Sequence, residues 1–313
     1  MEEFLAYSPE DVIAANLDEA DRRMYHLCEQ ELAHLRELAA EIVDGNTHTP
    51  DFIASLPDHR PQSHPFDAIL SENRPMLEHL QRIRGIWKSV LLCTEIDRRL
   101  DTQHRLSTED FFEEAEESDP AARSRIIYQR NSYADSAYLR FAELLPLPRA
   151  VYTHSFGEVC EEVVRGSCEY CILPLENSTE GPLNSFARLI DRYELKIAAT
   201  CDIPTADGSR ITRFALLRRD MTDLPSPNGA RRFFDFSLPV GEPPAPEAVL
   251  YAAACCGLVC NRIDSRAHRA EDEMQLTTHF SFSTDRGNLR TFLLYLSMEA
   301  PHYNAIGYYA HLA

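Results

Sequence analysis

The stretch Cys171-Ile-Leu-Pro-Leu-Glu-Asn-Ser-Thr-Glu-Gly-Pro-Leu-Asn184 decides the fold. Tyr170 to Leu175 is a continuous apolar run of strand length, the pattern of a strand buried on both faces. A polar turn comes next, and residues 182–194 repeat apolar side chains at helical spacing. Asn177 and Glu180 stand three apart before that helix, the spacing of a capping box. A buried strand feeding a helix through a polar turn is the unit of an α/β layer.

Working outward, the same alternation continues on both sides. Ile126 to Tyr128 reads as a strand, 134–144 and 156–165 as helices, and Leu195 to Ile203 as a strand. Thr205-Ala206-Asp207-Gly208 is a turn before a further strand, Ile211 to Leu217, and Asp-Gly between two apolar runs signals a hairpin. Residues 221–230 carry Pro225, Pro227 and Asn228-Gly229 and read as a linker. Beyond it the order is strand 231–238, helix 245–256, strands 258–266 and 274–283, helix 286–299 and strand 303–311. That βαββαβ order is ferredoxin-like.

Before residue 124 the texture is helical. Leu17, Met24, Leu27, Leu35, Leu38 and Ile42 form one stripe within residues 12–44, and Asp44-Gly45-Asn46 stops the helix. A loop with four prolines covers 47–66. A second helix starts near Pro75 with Met76, Leu77, Leu80, Ile83, Trp87, Val90 and Leu91 as its stripe. Residues 105–123 are an acidic linker with room for one helical turn. The expected organisation is α+β and multidomain. It comprises a helical unit at 1–104, the linker, a single α/β lobe at 124–220, a second linker at 221–230 and a βαββαβ unit at 231–313.

The formal charge of −19 opposes non-specific nucleic-acid binding and docking on an anionic membrane. The longest uncharged stretch, Ala248 to Asn261, is too short to span a bilayer. The N-terminus has no secretory pattern, and a cytoplasmic protein is expected. Nine cysteines in a chain of 313 residues need no disulfide staples. Cys168 and Cys171 form a Cys-x-x-Cys, and Cys255, Cys256 and Cys260 crowd an apolar stretch. Neither group sits in the turn-and-helix context of a metal or redox site, and buried cysteine acts as a small hydrophobe. No metal and no cofactor are expected.

The segment from Cys171 to Asn184 resembles the prephenate dehydratase signature, a strand followed by Glu-Asn-Ser-x-Glu-Gly and a helix. Ser155-Phe156-Gly157-Glu158-Val159 with Val163-Val164-Arg165-Gly166 is similar to the family's preceding helix. Leu195-Lys196-Ile197 resembles its exit strand, and Thr212-Arg213-Phe214 resembles its Thr-Arg-Phe motif. The resemblance implies a lobe of the periplasmic-binding-protein type, acting on prephenate in the phenylalanine branch. Thr212, Asn177 and Ser178 are then the catalytic candidates, and Arg213, Glu176, Thr179, Glu180 and Gly181 the substrate-binding ones. The C-terminal unit resembles an ACT domain. Asp264-Ser265-Arg266-Ala267 stands where that domain carries Glu-Ser-Arg-Pro, and Glu247, Ala248 and Val249 lie near its effector loop. Glu247, Ala248, Val249, Asp264, Ser265 and Arg266 are the effector candidates, with phenylalanine as implied ligand and a homodimer or higher homo-oligomer as implied assembly. Asp264 and Arg266 also suit an edge-strand charge pair. Asp18-Glu19-Ala20-Asp21-Arg22 resembles the opening of a helical chorismate mutase, without the lysine such a site needs.

One departure dominates. The resemblance implies a second lobe of roughly 80 residues between the exit strand and Thr-Arg-Phe, a half-domain in size. Here Ile203 and Ile211 are joined by a tight turn, which leaves half of the expected cleft open to water. The alternatives are therefore a partner-dependent or degenerate dehydratase, a non-catalytic phenylalanine sensor, and a relic whose chemistry lies in the helices.

Overall fold

The computed structural model describes residues 9–45, 74–102, 107–112, 124–221, 224–225, 227, 229–270 and 273–312. Among these residues ten strands join in one sheet. They are β1 (Arg125–Gln129), β2 (Arg149–Thr153), β3 (Tyr170–Asn177), β4 (Gly181–Pro182), β5 (Lys196–Pro204), β6 (Ile211–Arg218), β7 (Arg231–Pro239), β8 (Val259–Ala270), β9 (Glu273–Ser283) and β10 (Asn304–Leu312). The sheet order is β2-β1-β3-β6-β5-β10-β7-β9-β8, with β4 hung on β3. The α-helices of the described residues are α1 (Pro9–Gly45), α2 (Arg74–Thr102), α3 (Ser132–Ala142), α4 (Phe156–Val164), α5 (Asn184–Arg192), α6 (Pro246–Cys255) and α7 (Leu289–Glu299).

The first five strands of the order form the lobe. β1 pairs parallel with β2 and β3, while β6 runs antiparallel between β3 and β5. The βαββαβ unit forms the other end, with β10 and β9 antiparallel to β7 and β8 on the far edge. β10 also pairs parallel with β5, so both ends share one hydrogen-bonded sheet. On one face, α3 covers Ile126, Ile172, Phe214 and Leu216, and Leu312 of β10 belongs to the same core. On the other, α4 and α5 cover Ile127, Cys171, Ala215 and Leu217, together with Ile306 and Tyr309 of β10.

Beneath α6 and α7 lies a stack of aromatic rings. Phe236 sits 5.0 Å from Phe280 and 6.0 Å from both Phe282 and Phe292. All four rings are fully buried, and each contributes about 2–3 kcal/mol by burial. Leu35, Ala39, Ile42 and Val43 of α1, with Leu92, Cys93 and Ile96 of α2, belong to this same core. The long helices thus cover the helical face of the βαββαβ unit.

Polar contacts fix that packing. The Asp97 carboxylate of α2 sits over the first turn of α7. It accepts hydrogen bonds from Asn288 Nδ2 at 2.6 Å and Thr291 Oγ1 at 3.1 Å, and Arg290 Nε lies 2.9 Å from its other oxygen. An acidic side chain at a helix N-terminus also complements the helix dipole. Lys88 pairs with Glu31 at 2.5 Å, and Ser89 donates to Glu299 at 2.9 Å.

Several sequence expectations shift. β2 leaves no strand signal, because Arg149–Thr153 lies half-exposed at a sheet edge and lacks a buried apolar run. The helix after the signature begins at Asn184, not 182, and the short strand β4 intervenes. Asn177 and Glu180 therefore close a turn rather than cap a helix. Leu27 is 49% exposed and Trp87 38%, outside the buried stripes assigned to them. In α2 Val90 of the expected stripe is buried, together with Leu92, Cys93 and Ile96 outside it. The stripe residues Leu17, Met24, Met76, Leu77 and Leu80, the side chains of Asp18 to Asp21, the loop 47–66 and residues 113–123 lie outside the described ones. The acidic segment shows one 3-10 turn, Glu109–Phe111.

Replacing Asp97 by Ala takes the acceptor from Asn288 and Thr291 and leaves Arg290 with the exposed Asp101, 2.7 Å from its Nη2. It is expected to cost about 3 kcal/mol in urea unfolding, as breaking a buried pair does. Arg36→Ala, at an exposed ion pair with Glu95, should cost under about 0.5 kcal/mol. Equal small losses in both variants would show that the Asp97 contact does not anchor the helices.

Candidate functional site

Parallel α/β sheets bind ligands at the carboxyl ends of their strands. Here that edge gathers the ends of β1, β2 and β3, the start of β6 and the end of β5. Two helices begin at it. Asn131 caps α3 by accepting from the amides of Tyr133 at 3.0 Å and Ala134 at 2.9 Å. Ser155 caps α4 by accepting from the Glu158 amide at 3.4 Å. Thr153 donates to the Glu158 carboxylate.

The signature loop closes on itself. Asn177 Oδ1 accepts from the amides of Thr179 at 2.9 Å and Glu180 at 2.6 Å, and its Nδ2 lies 3.3 Å from Glu180 Oε2. This is an Asx turn, in which a short polar side chain replaces a backbone acceptor. Gly181 comes next at φ +73°, a conformation that favours glycine. The Ser178 amide donates to Ile211 O at 2.9 Å, and Ser178 Oγ accepts from the Ile211 amide at 3.0 Å. The Ser178 amide and one acceptor site of its hydroxyl therefore clamp the start of β6.

Thr212 pairs with Asn177 on β3 and Ile203 on β5, and Arg213 with Glu176 and Asp202. Successive residues of a strand point to opposite faces. Phe214 and Ile203, on the Thr212 side, pack under α3, while Ala215, on the Arg213 side, packs under α4 and α5. Thr212 and Arg213 thus cannot address one small molecule from the same side of the sheet. Among the described residues the Thr212 side chain has no hydrogen-bond partner.

Arg213 is already engaged. Its Nε and Nη2 lie 2.8 and 3.1 Å from the two oxygens of Asp202, a bidentate pair, and Glu176 is 3.9 Å away. His311, from β10, places Nε2 3.5 Å from Asp202 and Nδ1 3.0 Å from Thr200 Oγ1. The hydrogen bond from His311, and with it the Arg213 guanidinium, holds the Asp202 carboxyl well below the usual carboxylate range against the opposing effect of burial. No sequence signal points to Asp202 and His311. They lie over a hundred positions apart, and no local pattern joins them. Asn131 is findable, because a polar residue before a helical run is an N-cap signal.

The β5–β6 turn is equally closed. Thr205 N donates to Arg210 O at 2.8 Å and Gly208 N to Thr205 O at 2.8 Å. Asp207 accepts from Thr205 Oγ1, Ser209 Oγ and the Ser209 amide. These bonds lower its pKa to about 2.

The effector candidates fall on two faces. Glu247 opens α6 and pairs with Arg82 of α2 at 3.5 Å. Ala248 and Val249 are buried, Val249 within the aromatic core. Asp264 and Arg266 lie on the other face of the sheet, 3.2 Å from each other, with Arg266 3.9 Å from Asp191 of α5. Ser265 is exposed beside them. One protomer therefore does not bring Glu247–Val249 and Asp264–Arg266 together. All nine cysteines are free, Cys168 and Cys171 both buried. Among the described residues no cluster of His, Cys, Asp or Glu could hold a metal, and no helix is long and apolar enough to cross a membrane.

Because the folded-state pKa of Asp202 is depressed, its contribution to stability is complete above the unfolded value of about 3.9 and is lost as pH falls below it. Asp202→Asn should therefore destabilise the chain at pH 6, with the gap to the natural chain narrowing towards pH 2.5 in denaturant titrations. A gap independent of pH would sever the Arg213–Asp202–His311 link.

No curated protein matches the chain. Among solved structures, it is similar to the prephenate dehydratase of Streptococcus mutans, at 20% identity and a TM-score of 0.47, covering 61% of this chain and 100% of that one. It is also similar to GqqA, described as a novel type of quorum quenching acylase, at 20% identity and a TM-score of 0.43, over 59% and 94% of the two chains. A third is the prephenate dehydratase of Arthrobacter aurescens in complex with L-Phe, at 15% identity and a TM-score of 0.45, over 59% and 90%. Residues 129–208, from the end of β1 into the β5–β6 turn, match the family model of prephenate dehydratase.

Proposed function

We propose that this prephenate dehydratase-like chain does not turn over prephenate by itself and acts as a binding or regulatory protein in the phenylalanine branch. The reaction converts the prephenate dianion and one proton into phenylpyruvate, carbon dioxide and water. A catalyst must hold two carboxylates, hydrogen-bond the departing hydroxyl and exclude water. The observation that carries the proposal is the β5–β6 connection. Pro204 and Ile211 are directly paired, so no second lobe is inserted between β5 and β6 to wall the strand ends. Three further features support it. Arg213 is neutralised by Asp202, Asn177 and Ser178 serve their own loop, and Thr212 faces the other side of the sheet.

The regulatory half of the proposal rests on the βαββαβ unit, taken as an ACT-like domain. Among the described residues its β8 is the last strand of the sheet, with Val259 and Ile263 exposed. An edge strand presents unpaired backbone groups that can pair with another strand. Self-association through β8 would set the Asp264–Arg266 segments of two copies side by side.

The purified full-length chain should form no phenylpyruvate from prephenate near neutral pH. Turnover that disappears in Thr212→Ala would overturn the proposal and make the open lobe a working site. Sedimentation should show a dimer in the natural chain and a monomer in Ile263→Lys. A monomer in both would remove the edge-pairing assembly.

A further inference from the structure

Helix α5 of the lobe reaches over the face of the βαββαβ sheet that α6 and α7 leave uncovered, and charged side chains are buried where the two meet. A cavity of about 40 Å³ lies at that junction. The lobe gives it apolar walls, Ile190 of α5 and Ile197 of β5 among them, while the C-terminal unit brings Asp235, Arg262, Arg266 and His279. A space of this size gives a side chain room to shift but is too small for a metabolite.

Asp235, in the middle of β7, is only 8% exposed. Its Oδ2 accepts from the Tyr309 hydroxyl at 3.0 Å. Its Oδ1 meets no donor in hydrogen-bonding geometry among the described residues. A buried carboxylate short of donors is costly as an ion and is more stable with a proton. Burial pushes the Asp235 carboxyl above its usual range, against Ser281, Arg262, Tyr309 and Arg266, which favour the ion. Tyr309 itself is kept a neutral phenol by its burial.

Arg266 stands between acids. Its Nη2 is 3.2 Å from Asp264 Oδ2 on its own strand, and its Nη1 is 3.9 Å from Asp191 Oδ2 on α5. Asp235 draws on the same guanidinium from β7. His279 Nε2, from β9, also lies 3.9 Å from Asp191 Oδ2 and is 3.0 Å from Thr277 Oγ1. These two contacts to α5 are longer than direct hydrogen bonds. Arg262 is half-buried and lies 3.8 Å from Asp264. Among the described residues that line the cavity, β3, β4 and β5 add no titratable group.

We propose that Asp235 is a proton-operated latch between the C-terminal unit and the lobe: when its carboxyl takes up a proton, Arg266 is released from its pull and closes on Asp191, drawing α5 onto β8 and β9. Ionised Asp235 holds Arg266 back and leaves α5 loose. Because α5 follows the signature loop, the latch sets how firmly the helix behind that loop is anchored. The folded-state pKa of Asp235 lies above the unfolded value of about 3.9, so the carboxyl costs the fold nothing below that pH and its cost grows as pH rises through the folded value. That direction is opposite to the one at Asp202. A charged His279 would pull Asp191 the same way as the latch. The latch operates whether or not the chain turns over prephenate.

The test is amide hydrogen exchange of the full-length chain at pH 4.5 and pH 8, corrected for the intrinsic pH dependence of exchange and read over Asn184–Arg192. In the natural chain, protection of α5 should rise by roughly threefold or more at pH 4.5, the scale of a partly buried ion pair. Asp235→Asn, which mimics the protonated carboxyl, should show the pH 4.5 protection at both pH values and a higher Tm than the natural chain at pH 8. His279→Gln should keep the pH response, and Arg266→Gln should lose it with α5 poorly protected throughout. No response of α5 in the natural chain overturns the proposal. So does a response that survives in Asp235→Asn or disappears in His279→Gln. Where Asp235→Asn fails to fold, carbon-13 NMR titration of the natural chain decides: an Asp235 carboxyl that is protonated by pH 4.5 supports the latch, and one still ionised there overturns it.

Discussion

Gly307 lies directly beside Ile197, where β10 meets β5. A Cβ on Gly307 would sit 2.8 Å from both the Ile197 Cβ and its carbonyl oxygen, closer than carbon atoms pack. The strands also shift register here, between Gly307 and Ala310 on one side and beside Ile197 and Ala199 on the other. A glycine at this point lets two bulged strands approach to hydrogen-bonding distance. This contact makes one sheet of two units. Without it, the βαββαβ unit would present β10 as a second free edge and the lobe would present β5.

The seam makes the two units stiff against each other. Lobe and C-terminal unit share backbone hydrogen bonds, the Lys196 ties to Asn304 and Ala305, and the His311 contacts to Asp202 and Thr200. Hinged domains meet across small polar interfaces, whereas here the connection is a sheet. The Lys196 ties and the His311–Asp202 cluster towards the carboxyl end of β5 lie on the same strand, one at each end of the seam.

Much of the fold is legible in the sequence because its strands are buried on both faces and punctuated by strong turns. Tyr170–Asn177 reads as a strand from Cys-Ile-Leu-Pro-Leu, and Asp207-Gly208 announces the β5–β6 hairpin. The βαββαβ order emerges from alternating apolar runs, because each element is long enough to show its period. The hidden features are those that depend on distance in the chain. β2 carries too little buried surface to leave a pattern. The face of α2 that packs on α7 is offset from the stripe nearest Trp87, because Asp97 and Lys88, polar by type, are buried there through their partners. In the site, the residue types of the signature are readable, but their employment is not. Asn177 and Ser178 look like ligand-holding groups until the turn and the Ile211 clamp are seen to use them.

The same distinction governs how the lobe should be understood. A catalytic hydroxyl works when charges around it are arranged for the transition state and water is kept away. At the carboxyl edge the charges are arranged for one another: Arg213 with Asp202, Asp202 with His311, Asn177 with Glu180. Such self-paired networks stabilise a surface that is open to solvent. At the amino edge Glu194 stands just past α5 at φ +52°, a left-handed backbone that costs free energy a glycine would not lose. The edge that carries the family signature is thus the quieter of the two, and the one with no motif carries the stored strain.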